Sequence, residues 1–441
     1  MILTLGYSMA WAQPIDTVQK AAPTMSFSLE QAQTYAKENS PVLKNAKLDL
    51  EIAKKKVWEV TSMGLPQVSG KLSYTYSPKV SGMQDIFDNM FAGFPQDPNA
   101  EVISEADKKW NLPATLTASQ IIFSGAYLVG LQSSKTFKSL SEINISKSTN
   151  DLNESVANAY YLVLVMQENR LIMDSLFIQT QKMVSEMEIL KKSGFVDETA
   201  VDQIKYSANN LKNELTNLTY QVEFAKNLLR LQLGLDMKQD IVLTDKLNSL
   251  LEQNIQPQLL SNEFDSAANS DLKLVETSLK LKKLSLKLER FAYLPTIAGF
   301  YQYEHNFNDK MISMTPEHML GISLSLPIFN SGQKWAKVQQ AKMEVSKAEN
   351  TKFQTNNGLQ VAYSHALTSY NLALIKMSTN KENLELTNKI YNRTAIKLKN
   401  GMASSSELSQ AQTQLLFAQA SYYVTVVELV NAKNKLEKLN K

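Results

Sequence analysis

The chain has 441 residues, a formal net charge of +3 and no cysteine, which excludes disulfides, thiolate metal sites, cysteine nucleophiles and a lipidated N-terminal cysteine. Charge this close to balance argues neither for nor against nucleic acid, and 14 glycines and 12 prolines are few for the length, which suits long uninterrupted elements. The three histidines, His305, His318 and His365, lie in unrelated contexts, and no pair has helical metal-ligand spacing.

The N-terminal stretch MILTLGYSMAWAQ is apolar, uncharged and ends in Ala10-Trp11-Ala12, the small-x-small pattern of a signal peptide cleavage site. Residues 1–12 are therefore expected to be a signal, lacking its basic n-region, and 13–25 a linker in an exported compartment. No other segment approaches the roughly 20 continuous apolar residues of a membrane-spanning helix. A membrane span, if present, must be built of strands.

From residue 26 the chain is read as two copies of one unit. A helix is expected over 28–60, opened by a capping box of Ser28 and Gln31. Strands follow at 66–77 and 111–123, where Val68, Leu72, Tyr74 and Tyr76 share one face and Gln67, Ser69, Lys71, Ser73 and Thr75 the other. The turn-rich insertion 85–100 between them reads as a surface loop. A long helix then runs to Gly194 and another returns, so that the first repeat covers 26–233. Residues 234–261 form a belt segment.

The second repeat, 262–441, has the same order: a helix near 262–292, strands at 295–305 and 318–329, a long helix, a turn at Gly401 and a returning helix. Gly125 maps to Gly332, Gly194 to Gly401 and Gln203 to Gln410, each by 207 residues. The returning helices carry a heptad stripe, Ile204, Ala208, Leu211, Leu215, Leu218, Val222, Ala225 and Leu229, repeated 207 residues on with only Thr425 out of pattern.

Lengths suggest a rod: the long helices reach about 100 Å at about 1.5 Å per residue. Placing the 195–233 helix end to end with the 262–292 helix, and the C-terminal helix with 28–60, would match that length. Strands of about 11 residues with one apolar face suit a membrane barrel. Four cannot close alone, because such barrels have at least about 8 strands, so several copies must share one barrel. Phe123 and Gly125, like Phe329 and Gly332, mark the junctions where strand period gives way to helix. Trp110 and Trp335, at strand ends, could join an interfacial aromatic belt or equally be core residues.

The order helix, "LP" strand, strand, "FxSG", long helix, glycine turn, helix, duplicated once, resembles the TolC-like outer-membrane efflux proteins, the outer membrane factor family. SLEQAQTYAKENSPVLKNAK resembles that family's first helix, and LSLPIFNSGQ its strand-to-helix junction. The resemblance implies a mixed, mainly α fold in which a homotrimer forms a 12-stranded β-barrel in the outer membrane of a Gram-negative bacterium, continued by a periplasmic α-helical tunnel. It implies a passive duct of a tripartite efflux or type I secretion system, without cofactor, metal or enzymatic activity. Its partners would be outer-membrane lipid, a periplasmic adaptor and an inner-membrane pump of the RND or ABC type, and no nucleic acid. By the same resemblance Glu407 and Gln410, supplemented by Asp197, Glu198 and Asp202, would narrow the periplasmic gate. Gly194, Phe195, Val196, Gly401, Met402 and Ala403 would receive the adaptor. A soluble periplasmic coiled-coil rod is the alternative.

Overall fold

A computed structural model describes residues 24–76, 110–254, 264–307 and 316–441. The expected signal, the linker up to residue 23 and the insertion 85–100 lie outside the described residues. The described chain begins with β1 (Met25–Phe27), α1 (Leu29–Asn39), α2 (Pro41–Ser62), β2 (Gln67–Leu72), β3 (Thr75–Tyr76), β4 (Trp110–Asn111) and β5 (Pro113–Phe123). It continues through α3 (Gly125–Lys192), α4 (Glu198–Leu233), β6 (Ile241–Leu243), α5 (Leu247–Asn254) and α6 (Ser270–Phe291). The last elements are β7 (Thr296–Asn306), β8 (His318–Ser325), α7 (Gln333–Lys399) and α8 (Ser405–Leu439).

The helix expected over 28–60 is two helices. Ser28 does form the capping box with Gln31, but Ser40 is extended at φ −57° and ψ 128°. The cause is Pro41, whose ring pushes the preceding residue out of the helical region. The strand expected to 329 stops at Ser325, just before Leu326 and Pro327, because proline cannot donate to a ladder.

The chain forms two compact units, and each contains parts of both repeats. One comprises the described parts of Met1–Lys44, Thr149–Glu263 and Ser364–Lys438. Its core is the heptad stripe: Ile204, Leu211 and Leu229 are fully buried, and Ala411, Leu415 and Leu429 nearly so. Of these, Ile204, Leu211, Ala411 and Leu415 pack with Met173, Met187, Tyr391 and Leu398 of the two long helices. Thr425 is buried too, and its hydroxyl accepts a hydrogen bond from Asn380 Nδ2 at 2.9 Å. Further polar links tie α8 to α3: Gln419 Nε2 donates to Asn169 Oδ1 and Asn434 Nδ2 to Asn158 Oδ1, both at 2.7 Å. By length and composition α8 could cross a membrane, but much of its apolar surface lies in this core.

In the same unit β1 pairs in parallel with β6. Asp245 accepts the Leu29 N–H at 2.8 Å, and the Tyr160 hydroxyl lies 2.9 Å from both that carboxylate and the Phe27 carbonyl. Burial, then the Asp245 contact, raises the Tyr160 phenol well above its ordinary range. A carboxylate thus takes up an orphan donor at the start of α1. Gly234, in the left-handed region at φ +72°, caps α4 where a Cβ would lie 2.8 Å from the Asn39 carbonyl oxygen and 3.0 Å from Pro41. The end of α4 therefore meets the start of α2.

The second unit comprises the described parts of Asn45–Ser148 and Phe264–Tyr363, with Leu439–Lys441. Here the chain end meets the start of α6: Asn269 Nδ2 donates to the Leu439 carbonyl at 2.9 Å and Ser270 Oγ to that of Lys441 at 3.2 Å. The end-to-end pairing expected from lengths is thus exchanged, α4 meeting α2 and α8 meeting α6. Length alone is blind to this choice, because α2 and α6 have 22 residues each.

The sheet of this unit is antiparallel in the order β2-β5-β7-β8, with β2 and β8 at its edges among the described residues. Its register joins Val68, Ala118, Tyr301 and Leu320 in one row, and Leu72, Ala114 and His305 in another. The rows between them are polar: Ser69, Thr117 and Gln302, then Lys71, Thr115 and Glu304. Because cross-strand partners share a face and successive residues alternate, one whole face is mainly apolar and the other mainly polar. The apolar face is open, with Leu320 83% exposed and Val68, Leu72, Ile322 and Leu324 also exposed.

Candidate functional site: the glycine turns, the junctions and the two-faced sheet

Both expected turns are built alike. Gly194 and Gly401 have φ of +78° and +69°, a region that favours glycine. The Phe195 N–H reaches back to the Leu190 carbonyl at 2.9 Å and the Met402 N–H to that of Lys397 at 2.8 Å. The Gly194 and Gly401 N–H groups bond Lys191 and Leu398 at 3.0 Å. This double closure satisfies carbonyls left over at a helix end. Both turns sit over one hydrophobic cluster, which Val196 and Ala403 join. Their neighbours do the opposite: Phe195 is 78% and Met402 69% exposed. Lys399 bridges to Glu186 at 2.8 Å, an exposed ion pair between the two long helices beside the turns.

The acids divide by role. Asp197 is the N-cap of α4, accepting the Ala200 N–H at 2.9 Å. Glu407 completes a capping box on α8: its carboxylate accepts the Ser404 N–H at 2.7 Å while Ser404 Oγ accepts the Glu407 N–H at 3.2 Å. Glu198 pairs with Lys191 at 2.7 Å, and that hydrogen-bonded ammonium holds its carboxyl below the usual carboxylate range. Asp202 and Gln410 are exposed on their helices. The two glycine turns are therefore together, but three of the acids read as gate candidates already serve helix starts or an ion pair.

The two strand-to-helix junctions, equivalent by sequence, differ in conformation. At the second, Ser331 and Gly332 both have positive φ, 49° and 80°, and Phe329 is exposed. At the first, Gly125 is not a left-handed turn residue. It opens α3, where a Cβ would come 2.9 Å from the Phe291 carbonyl oxygen, so glycine is needed there for close approach. A bulge between Ile121 and Phe123 shifts the register just before it. Beside the second junction Lys334 Nζ donates to the Ala292 carbonyl and lies 5.4 Å from the centre of the Tyr293 ring. Trp335 is exposed, and the side chain of Trp110 lies outside the described residues.

Sequence reasoning missed the Asp245–Tyr160–Leu29 anchor and the amide pairs from α8 to α3. The only signal for the latter was the set of polar residues inside an apolar helix, Gln412, Gln419 and Asn434. No group of three or more His, Cys, Asp or Glu side chains able to hold a metal occurs among the described residues.

Residues 266–439 match the family described as outer membrane efflux protein. No curated protein matches the chain. Among solved structures, CusC is 17% identical, with a TM-score of 0.75 and 99% of each chain covered. The outer membrane protein VceC of Vibrio cholerae is 15% identical, with a TM-score of 0.72 over 93% of this chain and 96% of that one. The Campylobacter jejuni CmeC outer membrane channel is 15% identical, with a TM-score of 0.73 over 100% and 93%. At such identities the likeness is one of fold. The second repeat is thus similar to the outer membrane efflux protein family, and the fold of the chain from end to end is like that of solved outer-membrane channels.

Proposed function

We propose that the protein is a passive exit duct of the outer membrane, working as a homotrimer with a periplasmic adaptor and an inner-membrane pump. The observation that carries this reading is the two-faced sheet. Its apolar face is open to the surroundings and its edges, β2 and β8, are unpaired among the described residues. In a bilayer, lipid covers such a face, and closure of the sheet on itself removes the edges. Three copies of four strands give the 12-stranded barrel, with the polar face lining a water-filled lumen.

In this reading the glycine turns form the periplasmic entrance. Phe195 and Met402 are the apolar groups offered to an adaptor, held outward by the turns while Val196 and Ala403 anchor them. Glu407, with Asp197, Glu198, Asp202 and Gln410, narrows the entrance, and rings of carboxylates favour cations there. Cargo crosses unchanged, and the pump chooses it. The test is conductance of the purified protein in planar bilayers: discrete channels that multivalent cations block from one side support the duct, and a protein that never conducts overturns it.

A further inference from the structure

Strands β2, β5, β7 and β8 together contain one lysine, Lys71, and one carboxylate, Glu304. The register places them on the same level: Lys71 stands opposite Thr115, and Thr115 opposite Glu304. Both lie on the polar face, with Ser69, Thr117 and Gln302 in the next row. Gln302 Nε2 donates to Glu304 Oε2 at 3.2 Å, which steadies the carboxylate. Every other polar side chain of that face in these strands is neutral. Within the four strands these are the one cation and the one anion, two strands apart, and just before β8 Glu317 adds a second carboxylate beside Glu304, whose N–H bonds the Glu317 carbonyl at 2.9 Å.

We infer that Lys71 and Glu304 form a charged ring in the barrel lumen that sets the ion preference of the duct, independently of the periplasmic entrance. The inference rests on the duct reading, in which three copies contribute three ammonium and three carboxylate groups to one level of the wall. Lys71 opposes the carboxylates at this level, so removing either Lys71 or Glu304 shifts the charge of the wall by three units in the trimer. For ions passing within a Debye length of the wall, about 10 Å in 0.1 M salt, such a shift changes the cation-to-anion permeability ratio by about twofold, and by more at lower salt.

The experiment is the reversal potential in planar bilayers under a KCl gradient for the wild type and for Glu304→Gln, Lys71→Gln and the double variant. Glu304→Gln should shift selectivity toward chloride and Lys71→Gln toward potassium, with the double variant returning close to the wild type. Because the chain has no cysteine, Glu304→Cys gives a second route: a cationic thiol reagent should push the open channel further toward chloride and an anionic one back toward potassium. Channels that conduct normally while none of these changes moves the reversal potential would overturn the ring and leave the duct intact. A wild type that does not conduct would overturn the duct reading and the ring with it.

Discussion

Glu407 has two separable parts to play, and two substitutions tell them apart. Its carboxylate closes the capping box of α8 on the Ser404 N–H, and in the proposed duct it also contributes negative charge to the entrance. Glu407→Gln keeps an acceptor for Ser404 and removes the charge, whereas Glu407→Ala removes both. Loss of such a cap costs about 1 kcal/mol, and loss of a carboxylate from a first helical turn a few tenths to about 1 kcal/mol. A divalent cation about 4 Å from one carboxylate gains about 2 kcal/mol in water before screening, so its loss should weaken block by roughly tenfold. The assay is titration of a divalent or trivalent cation against bilayer conductance, with thermal unfolding followed in parallel. Both variants should lose the block to a similar extent, and only the alanine should lower the unfolding temperature clearly. If Glu407→Gln is blocked as strongly as the wild type, the carboxylate is a cap and has no part in a gate.

Other substitutions address the scaffold and the docking turns. Gly234→Ala would force a side chain into the left-handed region and to 2.8 Å from the Asn39 carbonyl oxygen; it should cost about 1–3 kcal/mol, and an unchanged unfolding temperature would contradict the contact. Leu211→Ala empties a fully buried position of the heptad core and should cost about 2–5 kcal/mol, read by denaturant unfolding. Asp245→Ala leaves the Leu29 N–H and the Tyr160 hydroxyl without their carboxylate; a cost of about 1–2 kcal/mol should accompany faster proteolysis near β1, and equal cleavage rates would count against the anchor. Replacing Phe195 and Met402 together by serine should leave assembly and stability unchanged while lowering transport in cells. Full transport would remove them from the docking surface.

Much of this architecture is written locally. The 207-residue offset, the capping box at Ser28, the heptad stripe and the positive-φ glycines at 194 and 401 are each set by a few neighbouring residues, and each is found as read. The alternation in the strands predicted a two-faced sheet, and the register joins those faces across four strands. What was illegible depends on partners distant in sequence. Gly125 and Gly332 stand in equivalent motifs, yet only the Phe291 carbonyl pressing on Gly125 explains the first. The pairing of α4 with α2 is fixed by the close fit of Gly234 to Asn39 and Pro41. Helix lengths carry no information about it. By resemblance Glu407 reads as a gate acid, although Ser404 three residues before it is the sequence signature of a capping box, and the box is formed.

The most direct test of the duct is the mass of the detergent-purified protein, corrected for bound detergent. Three copies per particle, insoluble once the detergent is withdrawn, is the result expected of a shared barrel with lipid on its apolar face. A monomer that stays in solution without detergent would contradict it, leaving the four strands an ordinary sheet and the protein a coiled-coil rod.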